Sequence, residues 1–475
     1  MPGQDREPSD DAEATSPTDA EASSPTDARA SSSTDGEASY PTDVVALARE
    51  LVRIPSENPP GEERAVAEYV VDWARAHDLD AELLDTPGYP ERPNAVVTVG
   101  DASQNATDAP DATDATDGTG RRLVLNGHTD VVPAGDPEAW TYDPYAAEVV
   151  TERDDAGVER EVLYGRGTAD MKMGLALALV TAREFADRID SDDGEAAEAG
   201  DSEAAEAGDG EATEAGDVDG GLVVHAAAGE ETGIPGTRTC IDAGYGGDYA
   251  IVLEPTDLKV ATSAKGVVTY RVTARGESTH ASHPDEGANA IDAARELFDR
   301  VDDYDAELRE REDDLVGRGY ASVTSVEAGT AGNMGVIPDV CEFLLDRRVL
   351  PGESIEDVDA EVDELLAEAA GEAGVDAERE TVQYYESASI PADHAFAELV
   401  RAETGDRAPS DPWGMTAATD AREFVAAGIP AVVWGPGSLS QAHTVDEHVD
   451  LAEARDARDV LASVVERVLD GALDD

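Results

Sequence analysis

Basic side chains are scarce in this sequence of 475 residues. It has 34 lysines and arginines against 107 aspartates and glutamates, which gives a formal net charge of −73. Lysine is the scarcest of these, since only Lys172, Lys259 and Lys265 are present. A surface this acidic repels phosphate backbones and anionic lipid headgroups. We therefore expect neither a nucleic-acid partner nor a membrane partner.

Cysteines and long apolar segments are equally rare. Cys240 and Cys341 are the only cysteines and lack metal-ligand spacing, so they exclude a disulfide framework and favour a reducing compartment. No segment approaches the roughly 18 apolar residues of a membrane span, and the best apolar window is 174–180. The N-terminus has no basic-then-apolar signal pattern. These absences predict a cytoplasmic protein.

Three polar tracts contain no apolar face that a fold could bury. Residues 1–42 repeat a Pro-Thr-Asp motif and are predicted to be a disordered acidic tail. Residues 101–120 and 189–220 lie between apolar segments and are predicted to be expanded surface loops. An acidic disordered protein is the alternative for the whole chain, but periodic apolar segments argue against it for most of the length. Dense carboxylates with almost no lysine resemble proteins of salt-accumulating halophilic archaea, in which salt screens the self-repulsion.

Helix-like and strand-like patterns alternate between these tracts. This alternation predicts an α/β domain with a mostly parallel sheet, whose catalytic groups gather where the strands end. We assign this catalytic domain to residues 43–265 and 386–475. The predicted strands are 95–99, 123–126, 222–227, 249–253 and 431–434, and the predicted helices are 44–54, 62–77, 171–188, 235–244 and 451–469.

The segment 266–385 has a different pattern from the sequence on either side. Its predicted order is β-α-β-β-α-β, which is the ferredoxin-like split arrangement. The simplest architecture is therefore a catalytic α/β domain that is interrupted by a smaller inserted α+β domain.

Histidines and carboxylates that can bind a metal follow several predicted strands. His128 ends one strand, and the carboxylate of Asp130 can reach its imidazole and fix the tautomer. Each candidate has an ordinary alternative, such as a helix cap for Asp170 or two solvated charges for Glu230 and Glu231. Only eight histidines are present, however, and two of them lie in strand-end loops beside carboxylates. The candidate metal ligands are His128, Asp170, Glu231, Glu254 and His443.

Two imidazoles and three carboxylates, one of them able to bridge, can hold two neighbouring divalent cations. Mixed nitrogen and oxygen ligands suit zinc, with cobalt or manganese as substitutes. Glu230 is left over, because adjacent residues in a turn point in different directions. A two-metal site with a free carboxylate is suited to hydrolysis.

Five motifs follow one another along the chain, at 127–133 (GHTDVVP), 165–172 (GRGTADMK), 229–232 (GEET), 254–256 (EPT) and 443–447 (HTVDE). Together they resemble the co-catalytic zinc metallopeptidase/deacylase family of acetylornithine deacetylase, succinyl-diaminopimelate desuccinylase and glutamate carboxypeptidase. The resemblance implies a zinc-exopeptidase-like catalytic domain with an inserted lid and dimerisation domain. It also implies that His128 and Glu254 hold one zinc, that Glu231 and His443 hold the other, and that Asp170 bridges them.

The resemblance implies further roles for residues that are not metal ligands. Glu230 would be the general base, Asp130 would orient the first histidine ligand, and His280 would stabilise the oxyanion, often across a homodimer. The substrate-binding residues that it implies are Asn333, Arg348 and Gly437.

We therefore expect a dinuclear zinc amidohydrolase that cleaves the amide bond of an N-acyl amino acid. The guanidinium of Arg348 predicts a substrate that carries a carboxylate. A dipeptidase or carboxypeptidase with the same metals is the alternative among enzymes, and its substrate would be a short peptide. A non-catalytic, metal-stabilised binding protein is the alternative of another class. The sequence does not name the acyl group or the amine.

Overall fold

The computed structural model describes residues 40–100, 121–153, 157–198, 220–329 and 333–473. Residues 1–39 of the predicted tail 1–42 and the predicted loop 101–120 lie outside these residues. Residues 40–42 are described, and there the indole of Trp73 donates a 2.8 Å hydrogen bond to the carbonyl of Pro41. Within them the helices are α1 Val44–Val52, α2 Arg64–Ala76, α3 Met173–Glu198, α4 Gly236–Cys240, α5 Ala290–Leu308, α6 Ile355–Ala373, α7 Ala395–Thr404, α8 Ala421–Ala426 and α9 Leu451–Leu469.

The strands of the described residues form one large sheet and several smaller ones. In chain order they are β1 Asp80–Thr86, β2 Tyr89–Gly100, β3 Arg122–His128, β4 Glu148–Arg153, β5 Glu159–Tyr164, β6 Gly221–Ala227, β7 Tyr249–Val252, β8 Ala261–Ala264, β9 Gly266–Arg275, β10 Thr279–His280, β11 Glu312–Asp313, β12 Gly317–Arg318, β13 Tyr320–Ala328, β14 Val336–Ile337, β15 Val340–Val349, β16 Asp376–Tyr385, β17 Ala388–Ser389, β18 Trp413–Met415, β19 Ala431–Val433 and β20 His448–Asp450.

The large sheet has the strand order β1-β2-β6-β3-β7-β19-β8-β17, with β18 also paired to β8. Its four central strands, β6, β3, β7 and β19, run parallel, whereas β1 and β2 at one edge and β17 at the other are antiparallel to their neighbours. Alternate side chains of β3 enter two different cores, because successive residues of a strand face opposite sides. Leu123 and Leu125 join the core formed with α1, α2, α3, α7 and α9, and Val124 joins the core on the other face. The predicted α/β class with a mostly parallel central sheet is confirmed.

The inserted segment forms a separate four-stranded antiparallel sheet with the order β13-β15-β9-β16. Helices α5 and α6 cover one face and share their own apolar core with the sheet. The chain order β9-α5-β13-β15-α6-β16 is the predicted ferredoxin-like order, which is thereby confirmed. The first strand begins at Gly266 and the last ends at Tyr385.

One local prediction was wrong, and one sheet was not predicted. Helix α3 continues through Glu198, so the predicted loop 189–220 begins later than expected, because alanine and glutamate are strong helix formers; residues 199–219 lie outside the described part. The predicted helix 235–244 is present as α4 and a π-helical turn, Ile241–Tyr245, that follows it directly. A third sheet, β20-β5-β4, was missed because β4 and β5 contain few apolar residues.

Among the described helices, none combines the length and the apolar character that a membrane span requires.

Candidate metal centre

The predicted ligands lie in turns at the edge where the central parallel strands end. His128 is the last residue of β3, Glu231 follows β6, and Glu254 follows β7. Asp170 lies in the turn before α3, where its own backbone is not helical (φ −117°, ψ 90°). His443 follows β19 and has a left-handed backbone (φ +63°). The carboxyl ends of parallel strands lie at one edge of the sheet. This explains why the candidate ligands lie close together although they are far apart in the sequence.

Asp170 lies between the two histidines. Its Oδ1 is 2.9 Å from Nε2 of His128, and its Oδ2 is 3.4 Å from Nε2 of His443. A glutamate accompanies each imidazole: Oε1 of Glu254 is 3.9 Å from Nε2 of His128, and Oε2 of Glu231 is 3.1 Å from Nε2 of His443. Ligand atoms of His128, Asp170 and Glu231 all lie within 4.8 Å of one another. The grouping is the one that the family resemblance implies.

The charges of these groups fit divalent cations. Burial, and then the charge of Asp170, raise the pKa of both Glu231 and Glu254. Burial acts in the same sense on Asp170, but hydrogen bonds with His128 and His443 outweigh it and lower the pKa of that carboxyl. Buried carboxylates that share a small volume repel one another, and bound cations relieve this repulsion. Imidazole nitrogens combined with carboxylate oxygens suit zinc, cobalt or manganese.

Asp130 has a wider role than the sequence predicted. It is completely buried, and Nδ1 of His128 lies closer to its backbone carbonyl oxygen (2.8 Å) than to its carboxylate (3.5 Å). The carboxylate instead accepts hydrogen bonds from the backbone N–H groups of Gly229, Glu230 and Glu231 at 3.1, 3.2 and 3.1 Å. Asp130 therefore fixes the imidazole through its main chain and the turn that contains Glu231 through its side chain. The predicted approach of its carboxylate to the imidazole is present at 3.5 Å, and the orienting role of Asp130 stays a prediction.

Glu230 lies beside the ligand cluster but is held by different residues. Its Oε1 is 3.5 Å from Nη1 of Arg422, and its backbone carbonyl accepts a 3.0 Å hydrogen bond from the hydroxyl of Tyr385. Burial, and then the charge of Asp420, raise the pKa of Glu230 to about 8. Sequence reasoning missed Arg422, Tyr385 and also Asn58, whose amide donates a 2.7 Å hydrogen bond to Asp130. Nothing in the local sequence of these three residues indicated that they reach the site.

The predicted residues of the inserted domain form other contacts within the described part of this single chain. Nδ1 of His280 is 2.7 Å from the hydroxyl of Ser282, and Arg348 donates to Asp346 at 2.9 and 3.3 Å. Asn333 is exposed, next to residues 330–332 outside the described part. Within the described residues, the hydrogen bonds of His280 and Arg348 are to neighbours in the inserted domain and not to the candidate metal ligands.

Gly437, by contrast, lies against the turn that contains Asp170. A Cβ atom added to it would lie 3.3 Å from Cβ of Ala169, and its φ of +91° favours glycine. Its N–H group donates to Glu453 at 3.2 Å. The close approach explains a glycine at this position.

Two protein families match parts of the chain. Residues 124–196, which include His128 and Asp170, match peptidase family M20/M25/M40. Residues 262–374 match a peptidase dimerisation domain.

Whole-length relatives and a solved structure agree with these matches. The acetylornithine deacetylase of Proteus mirabilis is 27% identical over 435 residues, which cover 89% of this chain and 96% of that protein. The acetylornithine deacetylase of Erwinia tasmaniensis is 30% identical over 354 residues, covering 72% and 79% of the two chains. An M20 family metallo-carboxypeptidase from Sulfolobus solfataricus has the same fold, with a TM-score of 0.65 at 16% identity over 90% of this chain and 99% of that one. The chain belongs to peptidase family M20/M25/M40 and is a metal-dependent hydrolase that acts on amide bonds.

Proposed function

We propose that this hydrolase is a dinuclear zinc deacylase that removes the acyl group from an N-acyl amino acid. The observation that carries the proposal is Glu230, a carboxylate with only 12% of its side chain exposed that lies beside the ligand Glu231 without belonging to the ligand set. A site that only stabilises the fold has no use for this extra carboxylate. The two acetylornithine deacetylases among the relatives support the substrate class.

The five candidate ligands would together hold two divalent cations. When bound, such cations polarise an amide carbonyl and lower the pKa of water. One side of the site is open, because the side chain of His443 is 53% exposed whereas that of His128 is 1% exposed. We infer that the substrate enters from the side of His443.

The protein side chains would handle the proton of the reaction. In the proposed mechanism Glu230 takes the proton of the attacking water and passes it to the nitrogen of the leaving amine. The hydrogen bonds from the Glu230 N–H to Asp130 and from Tyr385 to the Glu230 carbonyl hold its backbone, and Arg422 holds its carboxylate. A base that is fixed in this way loses little freedom when the substrate binds.

The substrate carboxylate and the oxyanion would be bound by the inserted domain. We propose that Arg348 exchanges its pairing with Asp346 for the carboxylate of the substrate, since a guanidinium pairs well with either group. Asn333 is proposed to lie beside it, and Gly437 to line the metal side of the pocket. His280 is proposed to act in the partner subunit of a homodimer, which the match to a peptidase dimerisation domain supports.

Zinc-loaded full-length protein tests the proposal on N-acetylornithine, N-succinyl-diaminopimelate and a panel of dipeptides. We expect the N-acyl amino acids to be hydrolysed fastest. The variant Glu230→Gln should retain its zinc and lose about 100- to 10,000-fold in kcat, as expected when a general base is removed. Faster hydrolysis of dipeptides would replace the deacylase with the peptidase alternative. Normal turnover by Glu230→Gln would disprove the role of Glu230.

A further inference from the structure

The carboxylate of Glu447 lies at the centre of the turn that contains Asp170. It is completely buried. Its Oε1 accepts hydrogen bonds from the backbone N–H groups of Ala169 at 2.9 Å and Asp170 at 3.0 Å. Its Oε2 accepts from the N–H of Gly167 at 3.0 Å and from Nη1 of Arg166 at 2.6 Å. Three backbone N–H groups of the turn therefore converge on the carboxylate of Glu447.

The same residue links this turn to the second histidine ligand. Glu447 follows His443 by four residues, and its carbonyl accepts the N–H of Gly165 at 3.0 Å. Between them, Asp446 accepts hydrogen bonds from the N–H and hydroxyl of Thr141 at 2.7 and 2.8 Å. The backbones of His443 and Asp446 have positive φ angles, +63° and +59°, which residues other than glycine rarely adopt. Segment 443–447 must therefore be held in place by contacts such as these.

We infer that Glu447 is a positioning residue that fixes Asp170 relative to His443 and so sets the affinity of the site for divalent cations. The inference rests on the proposed function, in which both of those residues are ligands. Metal ligands depend on the groups that orient them. Here the orienting group acts through the backbone, because it binds the N–H of Asp170 itself.

Asp130 shows the same arrangement on the other side of the site. Its buried carboxylate gathers the N–H groups of Gly229, Glu230 and Glu231, as Glu447 gathers those of the turn before α3. Two ligand-bearing turns are thus each built around a buried carboxylate outside the ligand set. A carboxylate suits this position because each of its oxygens accepts two hydrogen bonds and neither carries a hydrogen.

The variant Glu447→Gln tests the inference in metal-free full-length protein. The amide places an NH₂ group where one oxygen accepted two of the four hydrogen bonds, so the turn must rearrange. We expect the affinity for Co²⁺, measured by its visible absorption and by competition with a chromophoric chelator, to fall about 10- to 100-fold. The matched control is Glu63→Gln, because Glu63 is also completely buried but is paired with Arg92. Glu63→Gln should lower the melting temperature and leave the Co²⁺ affinity within about threefold of the unmodified protein.

Each outcome decides the matter. Wild-type Co²⁺ affinity in Glu447→Gln, or an equal loss in Glu63→Gln, would overturn the inference and leave the proposed function standing. An unmodified protein that binds no cation would overturn the proposed function itself. If Glu447→Gln does not fold, Glu447→Asp keeps the charge but is one methylene shorter, and the same loss of affinity is expected in it.

Discussion

Replacing Asp130 by asparagine should destabilise the protein strongly, although the two side chains have nearly the same shape. Oδ1 of Asp130 accepts the N–H groups of Gly229 and Glu230, and Oδ2 accepts that of Glu231 and the amide of Asn58. An asparagine must place its NH₂ group at one of these two positions. In either orientation the NH₂ group of the asparagine faces two hydrogen-bond donors that an oxygen of Asp130 had accepted, and the position is completely buried.

The size of the effect follows from those two lost hydrogen bonds. A hydrogen bond to a charged group contributes about 1.5–3 kcal/mol, so we expect Asp130→Asn to lower the free energy of unfolding by about 3–6 kcal/mol. This is a large part of the roughly 5–15 kcal/mol that stabilises a typical domain. Urea denaturation followed by circular dichroism measures it, with a chelator present so that metal binding does not contribute.

The matched control is Asp43→Asn. Asp43 caps α1 through hydrogen bonds from the N–H groups of Val45 and Ala46 at an exposed position. Asparagine caps helices about as well as aspartate, so the free energy of unfolding should change by less than about 0.5 kcal/mol. Equal stability of the two variants would refute the reasoning, because the carboxylate of Asp130 would then not be holding the turn.

Further predictions concern packing, pH and salt. Gly174→Ala should destabilise the protein, because the added Cβ would clash with the backbone carbonyl oxygen of Leu253. Gly371→Ala, in open space on α6, should instead stabilise the protein by about 0.5–1 kcal/mol in thermal unfolding. Burial lowers the pKa of His225 to about 4, below the roughly 6.5 of an unfolded chain. The unfolded state therefore binds more protons between those values, and stability should fall on acidification from about pH 6.5 to 4. His225→Phe should reduce this fall, and an unchanged slope of unfolding free energy against pH would contradict the assignment. Salt at 1 M shortens the range of repulsion among the acidic side chains to about 3 Å. Activity should therefore persist in molar KCl and decline at low salt, and a titration of turnover against KCl measures this.

The clustering of the candidate ligands could be predicted from the sequence because their signals are local. His128 and Glu254 each end or follow an apolar run, and the ends of parallel strands meet at one edge whatever the loops between them do. The inserted domain was predictable for the same reason, since its order of strands and helices can be read from local periodicity. Those parts of the fold depend on patterns that lie within single strands and helices.

The groups that hold the candidate ligands could not be predicted, because their partners lie far apart in the sequence. Glu447 and Asp170 are 277 residues apart, and Arg422 and Glu230 are 192 apart. In a chain with 107 acidic residues, a buried carboxylate has no local mark that separates it from a solvated one. The contacts of Arg348 and His280 were unpredictable for a different reason, since they depend on side-chain pairing at the surface of the inserted domain.

The pairing of β8 has a consequence for the synthesis of the chain. This strand, Ala261–Ala264, is the last element before the inserted domain, yet its partners β17, β18 and β19 all follow residue 387. Until residue 388 and the residues after it have been synthesised, β8 and one edge of β7 expose unpaired backbone groups, which are templates for aggregation. The inserted domain, whose four strands pair only with one another in the described residues, can fold during this interval. Until β19 emerges and enters between β7 and β8, the nascent chain has a gap in its central sheet.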